Sequence, residues 1–140
     1  MKRMLFMGAR DSGKGRLINA LTGNTAASDH SMAVEFFGEY INTPSEFLEN
    51  RFFYTSLITA SLDCHIIAAV QSAVRTISLY PPLFTAMFNC RVVGVITDIE
   101  DPKARPDLAE RFLRSAGARE CFSVNITTGD GLDNVRALLG

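Results

Sequence analysis

Seven residues near the start of the chain, Gly8-Ala9-Arg10-Asp11-Ser12-Gly13-Lys14, have the spacing G-x-x-x-x-G-K. That spacing serves anion binding. Glycines permit a tight turn that aims backbone N–H groups inward. A following helix adds its positive end, and the lysine reaches the outer phosphates of a nucleotide. A plain strand–helix turn with an exposed lysine carries the same letters, so the flanking elements decide between them. The next residue departs from the pattern. Magnesium usually takes a Ser or Thr hydroxyl directly after the lysine, and here that place is Gly15. Arg10 and Asp11 are large and charged where the loop would approach phosphates. Either Asp11 pairs with Lys14 or Arg10 and partly fills the anion nest, or both residues point into solvent.

The elements needed to position such a loop are legible. Met4 to Met7 is an apolar run that stops at Gly8, as a strand buried on both faces does. Arg16 to Leu21 has helical spacing, with Gly23 as its stop. Asn24 to Ser31 reads as a loop, and Val34 to Phe37 and Tyr40 to Ile41 as two strands around Gly38. Thr43-Pro44-Ser45 breaks the second. Glu46 to Leu62 reads as one long helix. His65 to Val70 and Arg91 to Ile96 are further buried strands, the first opened by a structural histidine. Helices are expected over Leu83 to Phe88 and Asp107 to Ala116, each behind a proline. Glu120 to Val124 is a last strand and Leu132 to Leu139 a last helix. Alternating strands and helices imply an α/β fold of three layers, with a mostly parallel sheet of about six strands.

Composition narrows the function. The 140 residues amount to a single domain spanning 1–140, and the net charge of −1, from 14 basic and 15 acidic residues, predicts no nucleic-acid partner. The longest aliphatic run, Ile66 to Val70, is too short for a membrane span, and Lys2-Arg3 precede no signal-like apolar stretch. A cytoplasmic protein without membrane contact is expected. Cys64, Cys90 and Cys121 lie apart in apolar runs with no C-x-x-C, which predicts reduced, buried thiols rather than metal ligands. His30 reads as a solvated loop histidine. No local signature supports a Ser-His-Asp or Cys-His site, so no catalytic residue is assigned.

Longer stretches resemble a known family. Gly8 to Leu17, Ala33-Val34-Glu35-Phe36-Phe37-Gly38 and Ile41 to Tyr54 are similar to the EutP/PduV proteins. So are Val70-Gln71-Ser72-Ala73, Pro81-Pro82-Leu83-Phe84 and Val92 to Glu100. The T-P-x-E-x-L-E-N-R-x-F-Y stretch, Thr43 to Tyr54, is the most specific part. The resemblance implies a Ras-like P-loop fold, GTP or ATP as a weakly held ligand, and association with a bacterial microcompartment for ethanolamine or propanediol breakdown. Shell or enzyme proteins of that compartment are the implied partners.

Against the family pattern this sequence differs where phosphoryl chemistry would occur. The family's D-T-P-G becomes Asn42-Thr43-Pro44-Ser45, which removes the acid that supports magnesium through water. Its guanine-reading T-K-x-D becomes Thr97-Asp98-Ile99-Glu100, so Asp98 replaces a lysine that lies along the base. The late S-A-x element is Asn125-Ile126-Thr127. Gly15 and Asn42 both weaken support for one ion, so no metal site is assigned, magnesium dependence is doubtful, and weak or absent hydrolysis is expected. This describes a pseudo-GTPase-like regulatory or scaffold protein. The rival expectations are an active phosphoryl-transfer enzyme, either a slow GTPase or an acyl-phosphate-forming kinase, and an interaction module with an empty loop. Aromatic residues crowd Phe36 to Tyr54. In a single helix, positions 48, 52, 58 and 62 would face the core and Phe53 and Leu57 would fall on an adjacent stripe. Core packing is the default expectation for these aromatics, and an exposed partner surface carried by Phe53 and Leu57 is the sharper one.

The altered base element predicts poor discrimination. Competition between GTP and ATP should show little preference. A hundredfold preference for GTP, about 2.7 kcal/mol, would contradict this.

Overall fold

A computed structural model describes residues 2–23, 25–28 and 31–139. Strand β1 (Met4–Gly8) is buried along its whole length, the condition its unbroken apolar run demands. Helix α1 (Lys14–Thr22) follows, then β2 (Glu35–Phe37), β3 (Tyr40–Asn42), α2 (Glu46–Glu49) and α3 (Tyr54–Ser61). Strands β4 (Ile66–Ser72) and β5 (Arg91–Thr97), helix α4 (Pro106–Ser115), strand β6 (Cys121–Ser123) and helix α5 (Leu132–Arg136) complete the order. Short 3-10 turns cover Arg51–Phe53, Phe84–Met87 and Ala137–Leu139.

The described strands form one six-stranded sheet in the order β2-β3-β1-β4-β5-β6. Only β2 runs antiparallel to its neighbour; the other pairings are parallel. Alternate residues of β1 feed two cores. Leu5 and Met7 pack with Ile67, Leu48, Leu57 and Leu113 on one side. Met4 and Phe6 pack with Leu17, Ile18, Val93 and Val135 on the other. This is the expected three-layer α/β arrangement. Strand β1 has β3 on one flank and β4 on the other, so the connections leaving it diverge. A crevice opens at the carboxyl ends of strands around such a point. No described helix is long and apolar enough to cross a membrane.

The segment after β3 corrects an expectation. It is not one helix from Glu46 to Leu62 but α2, a 3-10 turn and α3. Asn50 is extended, with φ −121° and ψ 114°, and its side chain accepts from the Phe52 N–H at 3.0 Å. An Asn side chain that bonds the backbone two residues on competes with helix continuation. The interruption rotates everything downstream. Leu48 is buried, but Phe52 is 91% and Leu62 69% exposed, while Leu57 is fully buried. Phe53 is half-buried and stacks on Phe47 with ring centroids 5.6 Å apart. The partner-surface reading of Phe53 and Leu57 therefore fails and the core reading holds for Leu57, while positions 52 and 62, expected to face the core, are exposed.

Three other expectations shift. β4 begins at Ile66, and His65 before it is exposed, held through its backbone N–H to the Arg3 carbonyl at 2.9 Å. Leu83 to Phe88 is reduced to the 3-10 turn over Phe84–Met87, because Leu83 is left-handed at φ 60°. Of the free cysteines only Cys64 is buried; Cys90 and Cys121 are half-buried. Burial, reinforced by Cys90, pushes the Cys64 thiol up to about 11. Burial also raises Cys90 and Cys121, so these thiols remain protonated and poorly nucleophilic near neutrality. His30 lies outside the described residues.

Leu57→Ser should lower unfolding free energy by about 2–5 kcal/mol, the range for truncating a buried leucine. Phe52→Ser should change it by less than about 0.5 kcal/mol, as at an exposed site. Urea denaturation of the two variants checks both values.

Candidate functional site

The strands deliver the singled-out residues to one edge of the sheet. β1 ends at Gly8, β3 at Asn42, β4 at Ser72 and β5 at Thr97, and these parallel neighbours all end on the same side. The Gly8 to Lys14 segment turns at β1's carboxyl end and runs straight into α1. Gly8 is required by space: a Cβ there would lie 2.5 Å from Ser12 Oγ. Gly13 is required by conformation, with φ 92°. Asp11 is also left-handed at φ 64°. Arg10 and Asp11 are both exposed at the loop's tip. The loop is tied down there by the Arg10 N–H donating to Glu49 Oε2 at 2.8 Å and by Arg75 Nη1 donating to the Arg10 carbonyl at 3.0 Å.

Lys14 opens α1 and is fully buried. Its Nζ donates to Ser45 Oγ at 2.5 Å. A buried ammonium is costly without such partners, so the Lys14–Ser45 contact joins the first loop to the second. Thr43 fixes that second loop, since both its N–H and its Oγ1 bond the Phe6 carbonyl, at 3.3 and 2.8 Å. Asn42 Nδ2 donates to the Ser28 carbonyl and to Glu35 Oε1, both at 2.9 Å. Those two acceptors fix the amide's orientation and leave Asn42 Oδ1 buried without a partner, as Ser12 Oγ also is.

Thr97 Oγ1 donates to the Ser12 carbonyl at 2.5 Å, which anchors the first loop to the end of β5. Asp98 is left-handed at φ 58°, accepts from Ser72 Oγ at 2.5 Å, and pairs with Arg16 Nη2 at 3.2 Å. Glu100 is exposed. Asn125, after β6, uses its side-chain oxygen to accept from the Thr127 and Thr128 N–H groups at 3.0 and 3.1 Å. Tyr80 closes the floor, its buried hydroxyl 2.9 Å from the Val70 carbonyl and 3.2 Å from that of Met7. Burial raises the Tyr80 phenol well above its usual value.

Sequence inspection did not single out Arg16, Ser72, Glu49 or Tyr80. Arg16 was the one with a usable signal, as a cation one residue past the position where magnesium's hydroxyl is expected.

A magnesium ion beside bound phosphates takes oxygen donors in an octahedron. Gly15 offers no side-chain oxygen, and Asn42 offers a neutral amide oxygen in place of a carboxylate. The nearby Glu35 carboxylate is engaged by Asn42 Nδ2. Among the described residues no three His, Cys, Asp or Glu side chains cluster as metal ligands. This donor set does not fit magnesium held in the usual way.

The family model described as "Ethanolamine utilisation - propanediol utilisation", PduV-EutP, matches residues 1–140. The chain belongs to the PduV-EutP family. It is 32% identical over 137 residues to "Propanediol utilization protein PduV" of Citrobacter freundii, which covers 96% of this chain and 91% of that one. It is 34% identical over 143 residues to "Probable acetate kinase EutP" of Salmonella typhimurium, which covers 99% and 87%. The protein of the same name from Escherichia coli is 32% identical over 128 residues, covering 89% and 80%. Among solved structures, bacterial selenocysteine-specific elongation factor EF-Sec aligns with a TM-score of 0.67 at 22% identity. The alignment takes in 98% of this chain and 28% of that one. That likeness establishes the fold alone, the three-layer α/β Ras-like P-loop arrangement. This PduV-EutP protein is thus associated, through its family, with ethanolamine and propanediol utilisation.

Ser45→Ala removes one charge-assisted hydrogen bond from the buried Lys14. The loss should destabilise the protein by about 1.5–3 kcal/mol, read as a lower urea midpoint in phosphate-free buffer. An unchanged midpoint would mean that the contact does not form in solution.

Proposed function

We propose that this PduV-EutP protein is a single-domain, pseudo-GTPase-like nucleotide-binding or scaffold protein of a cytoplasmic microcompartment for ethanolamine or propanediol metabolism. The observation that carries the proposal is a contrast within a few residues. The anion-binding parts are retained: a glycine-shaped loop at the end of β1, a helix start, and the buried Lys14. The metal-supporting positions hold Gly15 and Asn42.

Backbone N–H groups and Lys14 bind phosphate without help from a metal. The anion takes Lys14 Nζ from Ser45 Oγ. Thr97 and Thr43 hold the two loops while that exchange occurs. GTP and ATP are weak ligands, Thr97, Asp98 and Glu100 form a degenerate base-facing element, and Gly8 to Gly15 with Asn42 to Ser45 form the phosphate end. Phosphoryl transfer depends on electrostatic stabilisation that the metal largely supplies, so hydrolysis is near background. Shell or enzyme proteins are the partners.

A second function is favoured by the relatives named probable acetate kinase: transfer of a terminal phosphoryl group to a carboxylate. Formation of acyl phosphate from ATP and acetate by the purified chain would select it.

Turnover of GTP and ATP with magnesium is the test. The unmodified protein should stay near background. Gly15→Thr with Asn42→Asp should introduce partial magnesium-dependent hydrolysis. Each change alone should do less, because the two serve one ion and couple. Robust magnesium-dependent turnover by the unmodified chain would overturn the proposal.

A further inference from the structure

One side chain joins the loop that would hold phosphates to the loop that would face a base. Arg16 stands in the first turn of α1, two residues past Lys14, and its Nη2 reaches Asp98 Oδ1 at 3.2 Å. The guanidinium also folds back over the phosphate loop, since a Cβ built on Gly13 would lie 2.8 Å from Nη2 and 3.5 Å from Cζ. Asp98 is gripped from its other oxygen by Ser72 Oγ at 2.5 Å. The Asp98 side chain is only 16% exposed, whereas that of Arg16 is 50% exposed. The carboxylate is therefore the buried clamp, and the guanidinium is the group left at the surface of the crevice.

We propose that Arg16, clamped by Asp98 and Ser72, is the platform on which a purine base stacks, in place of the lysine that the family's T-K-x-D element supplies. The proposal rests on the phosphate-loop function given above. A planar guanidinium held along one edge by a carboxylate stacks its face on aromatic rings, which the point charge of an ammonium does less well. The two differences from the family pattern then compensate each other. An acid at position 98 alone would repel the phosphates and leave the base without its support. Paired with Arg16, it is neutralised and orients the replacement cation.

The arrangement also sets specificity. Both Asp98 oxygens engage Ser72 and Arg16, so Asp98 reads no base edge. Glu100 is exposed and is the remaining acid of the element. Recognition through a stacked face accepts any base of sufficient area. The ligand class is purine nucleoside di- and triphosphates, guanine and adenine alike, with pyrimidine nucleotides weaker.

The test is calorimetry of the full chain in EDTA with pyrophosphate, GDP, ADP and UDP. GDP and ADP should bind within about threefold of each other, and each about fivefold or more above UDP and pyrophosphate, as one cation–π contact provides. Arg16→Ala should weaken GDP and ADP by about tenfold while leaving pyrophosphate within about twofold. Asp98→Asn should act in the same direction, and asparagine suits the left-handed backbone at that position. Circular dichroism melting of both variants verifies that they fold, and either variant alone decides the matter. Unchanged or tighter GDP binding by Arg16→Ala overturns the platform, the latter meaning that the ion pair blocks the base. An equal loss for GDP and pyrophosphate overturns it too, because Arg16 would then be a phosphate contact. If the unmodified protein binds neither pyrophosphate nor GDP, the phosphate-loop function itself fails. That outcome is distinct from pyrophosphate binding without a purine effect.

Discussion

The Lys14 ammonium lies with no solvent exposure at the foot of the crevice, 2.5 Å from Ser45 Oγ. A charge in that position is tolerated only where oxygen atoms surround it. Much of the local structure can be understood as providing them. β1 must end at Gly8 so that the chain can turn within van der Waals contact of Ser12. α1 begins at Lys14, which roots the side chain beside the second loop. The second loop must bring Ser45 alongside, and the Thr43 double contact with the Phe6 carbonyl ensures this.

The same crevice is cross-linked on three sides. Thr97 ties the first loop to β5, Thr43 ties the second loop to β1, and Tyr80 bridges β1 and β4 from below. Each is a side-chain hydroxyl bonded to a buried backbone carbonyl, of Ser12, Phe6 and Val70 respectively, so each gives a buried acceptor a partner. Under the proposed function such a frame holds an anion site in place without metal. What the frame lacks is a hydroxyl at position 15 and a carboxylate at position 42, where Asn42 Oδ1 is a buried acceptor without a partner. Binding of phosphate and stabilisation of its transfer are separable demands, and under the proposed function the residues present meet the first better than the second.

Sequence made the sheet and the loop legible because both depend on local patterns. Continuous β-type runs at Met4 to Met7, His65 to Val70 and Arg91 to Ile96 identified buried parallel strands. Glycine and lysine spacing located the turn. Two kinds of feature escaped. The helix break at Asn50 depends on one side chain bonding its own backbone, which period counting over Glu46 to Leu62 does not register, and it moved Phe52 to the surface and Leu57 into the core. The contacts Lys14–Ser45 and Arg16–Asp98 span sequence separations of 31 and 82 residues. No local pattern carries information at that range. Asp98 could be seen as a missing lysine, but not as the partner of Arg16.

The central claim is that this loop holds phosphate through its backbone and Lys14 without a metal. Titration of the nitrogen-15-labelled protein with pyrophosphate in EDTA tests it most directly, by following the backbone amide resonances. Saturable shifts concentrated on the amides from Ala9 to Gly15, abolished by Lys14→Met in a variant that still folds, are the predicted result. Absence of shifts in EDTA with their appearance on adding magnesium would contradict the account, as would shifts lying elsewhere on the sheet.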